Sequence, residues 1–187
     1  MKKYLIALGS NLEKQNLSKL EIINTALGYF LQANIILIKV SSFWESRSYP
    51  DKSQPNFINA VTEVHSELNP YQILHELKNI EKKMGRKNKT RWGNRVLDLD
   101  IIGSGSTILP NNSEFNKWLK MPLQKQIKIQ PNELILPHPR IQDRLFVLKP
   151  LDEVDPLWTH PVLNKTPLEL INRKIWGKEN FIKKIEN

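Results

Sequence analysis

An antiparallel α+β sheet in the order β-α-β-β-α-β, the ferredoxin-like arrangement with two helices on one face, is predicted by three observations. Short apolar, β-branched runs recur at residues 4–8, 35–44, 57–65 and 96–102. Two stretches between them keep a helical period and carry their own start and stop signals. The chain has 187 residues, 40% apolar and 25% charged, which suits one soluble domain with a proper core.

Residues 4–8 read as a buried strand that Gly9-Ser10-Asn11 ends. Ser18 caps an amphipathic helix running to about Phe30, with Leu20, Ile23, Leu27 and Leu31 on one face. Residues 35–44 read as one long strand. Residues 45–56, with their prolines and serines, read as an exposed loop, and 57–65 as the third strand. Asn69-Pro70 opens the second helix, because proline fits the first helical turn. Ile73, Leu74, Leu77, Ile80 and Met84 keep its period, and Gly85 stops it. A basic loop, 86–91, leads into the fourth strand, 96–102. Residues 103–133 have little pattern and read as an insertion with a short helix near 115–119. Leu134-Ile-Leu-Pro-His-Pro-Arg140 resumes order, and 144–154 is apolar and buried. The tail, 160–187, reads as a basic helix from Pro167 onward. There is no internal repeat, so residues 1–187 are taken as a single domain.

The net charge of +9 favours anionic partners: nucleic acid, an anionic membrane or a phosphorylated small molecule. The chain has no cysteine, which excludes disulfides and thiolate metal sites and suits a reducing cytosol. The first apolar run is too short for a signal peptide, and no stretch reaches the length of a bilayer span. A cytoplasmic chain with no membrane partner is expected. No P-loop and no dinucleotide-binding glycine motif is present, so a nucleotide must be held by other means.

Arg91-Trp-Gly-Asn-Arg-Val-Leu-Asp-Leu-Asp-Ile-Ile102 is the richest stretch. On a strand, Asp98 and Asp100 share one face, while Leu97, Leu99 and Ile101 point into a core. Two neighbouring carboxylates repel each other unless a cation sits between them. Hard oxygen donors suit Mg²⁺ and leave positions for phosphate, and the adjacent arginines suit the phosphate itself. Metal plus phosphate is the chemistry these residues predict.

That block resembles the signature of the 6-hydroxymethyl-7,8-dihydropterin pyrophosphokinase family of folate biosynthesis. The resemblance extends to Ala7-Leu-Gly-Ser-Asn-Leu12, Ser41-Ser-Phe43, Gln54-Pro-Asn-Phe-Ile-Asn-Ala60, Ile80-Glu81 and Gly85-Arg86. It ends with Pro137-His-Pro-Arg140 and Arg144-x-Phe146-Val-Leu-x-Pro-Leu151. Ser46-Arg-Ser-Tyr-Pro-Asp51, Asn94, Pro139 and the length of 103–133 depart from the family pattern.

The resemblance implies an ATP-dependent transferase that moves pyrophosphate to the pterin hydroxymethyl oxygen and releases AMP. It implies two Mg²⁺ ions on Asp98 and Asp100, with Arg95 and Arg86 in catalytic contact with phosphates. Arg91, Arg144, Ile101 and His138 are the further ATP contacts it implies. The pterin would lie between Phe57 and Phe146, with Asn59 and Ser46 at its edge and Trp92 closing the loop. His65, His75 and His160 are read as structural. A monomer is expected, with association with a downstream folate-pathway enzyme left open. The alternative is a basic nucleic-acid-binding module on a ferredoxin-like sheet. It lacks the aromatic strand motif of such modules, and paired acids would repel a phosphate backbone.

Overall fold

A computed structural model describes all residues except 15, 49–50, 87–92, 174 and 187, and omits the side chains of 123, 127 and 179. Its elements are β1 (Lys2–Ser10), α1 (Lys19–Gly28), β2 (Ile36–Val40), β3 (Trp44–Ser46), β4 (Phe57–Ser66), α2 (Pro70–Lys83) and β5 (Asp98–Gly103). Then follow α3 (Asn112–Lys120), α4 (Leu123–Lys128), α5 (Leu145–Val154), α6 (Pro167–Asn172) and β6 (Ile182–Lys184). The strands form one sheet in the order β5-β1-β4-β3-β6, with β2 also beside β4. The pairings are antiparallel.

Alternate residues of the central strands feed two cores. Tyr4, Ile6 and Leu8 of β1, with Leu99 and Ile101 of β5, pack under α1 and α2. Leu5, Val61 and Ile102 face the other way and pack under α5 and α6. The βαββαβ core and the extra C-terminal layer both follow the expectation. So does Leu97, which is fully buried in the first core.

The details differ where tertiary contacts outrank local pattern. In α1 the buried residues are Ile22, Ile23 and Ala26, while Leu31 is 75% exposed. The helix ends at Gly28, and a 3₁₀ turn closed by Asn34 at φ +57° carries Leu31 away from the core. Burying a Leu or Ile is worth roughly 1.5–3 kcal/mol, against about 1 for an N-cap, so burial decides which face α1 presents. The long second strand is broken into β2 and β3. Between them Ser41 Oγ accepts from the Val61 amide at 3.0 Å while the Ser41 amide donates to the Val61 carbonyl at 2.9 Å, a local replacement of the ladder. The 45–56 loop is not wholly exposed, because Ser46 and Ser48 are buried.

The insertion is ordered around α3, whose Phe115 and Trp118 pack on Ile135. The tail is not a basic helix. After the short α6, with its Thr166–Glu169 capping box, the chain adds β6 to the β3 edge, pairing Ser46 with Ile182 and Trp44 with Lys184. An edge strand needs a partner, and three residues carry no periodicity to read in advance.

His160 is structural, as read. Its Nδ1 accepts from the amides of Val162 and Leu163, both at 3.2 Å, so the proton sits on Nε2 among the rings of Phe115 and Trp158. Burial pulls its pKa down to about 4 from 6.5. The unfolded chain therefore binds a proton that the folded chain resists, and stability falls as pH drops from about 6.5 toward 4. His160→Gln should lose about 3 kcal/mol less than the parent across that window. Denaturant midpoints at pH 7 and near pH 4 check this, and parallel pH profiles would refute it.

Candidate active site

α5 covers only part of its sheet face. The uncovered part forms a cavity of about 590 Å³, within the usual range for small-molecule sites. Its floor is set by strand register. Asp98 lies opposite Gly9, Gly9 opposite Asn59, and Asn59 opposite Trp44; one step along, Asp100 lies opposite Ala7. A Cβ on Gly9 would sit 3.4 Å from the Phe57 ring and 3.7 Å from Asn59 Oδ1. The missing side chain leaves the floor open between the acids and the aromatic end.

Arginines gather at the acids. Asp98 Oδ1 accepts from Arg86 Nη1 at 2.8 Å and lies 2.7 Å from Arg95 Nη1. Arg144 Nη1 stands 4.0 Å from Asp100 Oδ2. Behind them Glu81, 2% exposed, receives the Leu99 amide at 2.7 Å and Lys78 Nζ at 2.9 Å, and pairs with Arg86. Burial raises the Glu81 carboxyl above its ordinary pKa, with Lys78 and Arg86 opposing. Burial works against the Arg86 charge, but Asp98 and Glu81 outweigh it and raise its pKa. One buried carboxylate thus locks both the acidic strand and the arginine that meets it.

His138 donates its amide to the Ile102 carbonyl at 3.0 Å, and its Nδ1 accepts from the Arg140 amide at 3.1 Å. Burial, then Arg144 and Arg140, hold its pKa well below normal, so the ring is neutral with the proton on Nε2. Neither His138 nor Ile101 lines the cavity. The Ile101 side chain is in the first core. Only its backbone is available: Leu99 turns its amide and carbonyl outward to Glu81 and Lys78, and alternation turns those of Ile101 the same way.

At the other end Ser46, Phe57, Asn59 and Phe146 line the cavity together. Asn59 Nδ2 already donates to the Trp44 carbonyl at 3.1 Å and to Ser46 Oγ at 2.9 Å. It therefore offers an acceptor rather than the donor–acceptor pair expected of it. Arg91 and Trp92 lie outside the described residues.

Sequence reasoning assigned no role to Asn11, Arg47, Arg140 or Phe181. Asn11 is 1% exposed and joins three segments. Its Nδ2 donates to Pro55 O and to Asn94 Oδ1, and its Oδ1 accepts from the Arg95 amide at 2.7 Å. A polar residue directly after a buried strand was the available signal. Arg47 lies over the Phe181 ring at 5.8 Å, a contact that exists only because β6 joins the sheet.

Among the described residues, no cluster of three or more His, Asp or Glu side chains could cage a metal. Two half-exposed carboxylates on one face, open to the cavity, instead fit Mg²⁺, which keeps most of its positions for water and phosphate. Glu81→Ala should leave the buried Leu99 amide unpaired and lower stability by about 1–3 kcal/mol in urea titrations. An unchanged midpoint would show that Glu81 is not the anchor.

The model of the family described as 7,8-dihydro-6-hydroxymethylpterin-pyrophosphokinase (HPPK) matches residues 5–156. The 2-amino-4-hydroxy-6-hydroxymethyldihydropteridine pyrophosphokinase of Haemophilus influenzae is 35% identical over 150 residues, 80% of this chain and 79% of that protein. The enzyme of the same name from Porphyromonas gingivalis is 34% identical over 162 residues, 83% of this chain and 92% of the relative. The solved structure of wild-type Plasmodium falciparum HPPK-DHPS matches the fold with a TM-score of 0.64 at 18% identity, over 92% of this chain and 44% of that one. With acids, arginines and aromatic pair in one cavity and the match running from β1 to the end of α5, this chain belongs to the 7,8-dihydro-6-hydroxymethylpterin-pyrophosphokinase family.

Proposed function

We propose that this chain transfers the β,γ-pyrophosphoryl group of ATP to the hydroxymethyl oxygen of 6-hydroxymethyl-7,8-dihydropterin, in the cavity between β4 and β5, for folate synthesis. The pterin oxygen bonds to the β-phosphorus, the bond from that phosphorus to the α,β-bridging oxygen breaks, AMP leaves and the hydroxyl proton is released. The observation that carries the reading is the paired Asp98 and Asp100, ringed by Arg86, Arg95 and Arg144, one strand from an aromatic end.

Two Mg²⁺ ions on Asp98 and Asp100 would supply charge neutralisation and a template for the triphosphate. The arginines add positive charge that phosphate can take over from the carboxylates. Phe57 and Phe146 hold the flat pterin, and the Asn59 acceptor orients it, so that attack is aligned.

The nucleic-acid alternative is set aside, since much of the sheet face such a module would use lies under α5. No helix among the described residues is long and apolar enough to cross a membrane. The reading further places a monomer in the cytoplasm, handing its product to a downstream folate-pathway enzyme as the associating partner.

The purified chain should release AMP from ATP when Mg²⁺ and the hydroxymethyl-dihydropterin are both present, and EDTA should abolish this. Asp98→Asn and Asp100→Asn should each cut turnover by on the order of 10²–10³. Near-normal turnover in either variant would refute the metal assignment. Because Asn11 ties Pro55 to Asn94 and Arg95, a non-hydrolysable ATP analogue should tighten pterin binding. Calorimetry giving equal pterin affinity with and without the analogue would reject that coupling.

A further inference from the structure

We infer that Lys14 is a positioning residue for Arg86: it fixes the C-terminal end of α2, from which the Arg86 guanidinium reaches Asp98. The inference deepens the functional reading above and rests on it, since that reading gives Arg86 its contact with phosphate.

Three sets of bonds converge on that end. The first belongs to the helix. Gly85 stands at φ +86°, its amide donates to the Lys82 carbonyl at 2.9 Å, and the Arg86 amide donates to the Glu81 carbonyl at 3.0 Å. This pair of bonds is the left-handed stop common at helix ends. It ties the Arg86 backbone to the same residue whose carboxylate pairs with the Arg86 side chain. The second set comes from the loop after β1. Lys14 Nζ donates to the Met84 carbonyl at 3.1 Å, and the side chain runs over Gly85, where a Cβ would collide with the ammonium. A cation there satisfies a carbonyl that the helix leaves open and suits the negative end of its dipole. The third set holds Lys14 itself. Its amide donates to the Leu17 carbonyl at 3.1 Å, the Leu17 amide returns a bond to its carbonyl at 2.9 Å, and Leu17 packs against the first core. The same loop also carries Asn11, which receives the Arg95 amide. Asn11 and Lys14 thus brace Arg95 and Arg86, the two arginines on Asp98, from one short stretch of chain.

Lys14→Met keeps the apolar stem and removes the charge and the donor. In the full chain it should cut kcat for AMP release about tenfold while KM for the pterin stays within about twofold. Lys14→Arg, which returns a charged donor, should recover most of that loss. Gly85→Ala, which drives the ammonium off from the other side, should lose turnover to a similar degree. A double-mutant cycle separates positioning from general damage: in an Arg86→Ala background, Lys14→Met should cost no more than about a further twofold. The side-chain Nε–H resonance of Arg86 in isotope-labelled protein, assigned by its loss in Arg86→Lys, gives a readout that needs no turnover. It should shift or broaden in Lys14→Met. Unchanged kcat, full additivity with Arg86→Ala, or an unmoved Arg86 resonance overturns the inference. A parent that transfers nothing to the pterin sinks the functional reading instead, and the resonance still decides whether Lys14 holds Arg86.

Discussion

Like-charge repulsion between Asp98 and Asp100 is the constraint around which this site is organised. Their strand puts both on one face, and the register with Gly9 and Ala7 keeps them over open floor. Such a pair must be neutralised. Without ligands the neutralising groups are Arg86 and Arg95 on Asp98 and Arg144 near Asp100. The free site is thus held by ion pairs between the acids and the arginines around them.

That arrangement is held from behind. Glu81 sits on the helix face that packs against β5 and serves two masters, the Leu99 amide and the Arg86 guanidinium. Its carboxyl is costly to bury, and the cost is offset only because it bonds the strand it supports. Asn11 plays the corresponding part at the loops, with its single amide reaching the segment before β4 and the segment before β5. Both residues bond backbone as well as side chains of neighbouring segments, and so hold the site from behind.

The cavity also shows how additions to a core fold reach a site. The insertion after β5 and the tail after α6 contribute to opposite ends of one cavity, through Leu119 and Met121 at one and Phe181 at the other. Each is fastened by a small set of contacts: Trp118 and Gln126 for the insertion, the β3 pairing for the tail. The buried, uncharged His160 fastens the insertion further, since it packs on Phe115 from the segment between α5 and α6.

By itself the sequence determined the strand–helix order, the Ser18 and Asn69 helix starts, the core-facing row of β5 and the acid pair on its other face. These depend on periodicity, capping and alternation, which act within a few residues. It also carried Phe57, Asn59 and Phe146 into the site by resemblance. Only the tertiary structure decided that Leu31 faces water, that Ser41 splits a strand, that the Asn59 donors are already engaged and that Ile101 has only its backbone to offer. It also decided that Leu119 of α3 and Phe181, just before β6, line the cavity. For most of these the deciding partner lies far along the chain, as Val61 does for Ser41 and Ser46 for Ile182. Local pattern holds no record of a partner that distant, because it is chosen by which surfaces the fold brings face to face.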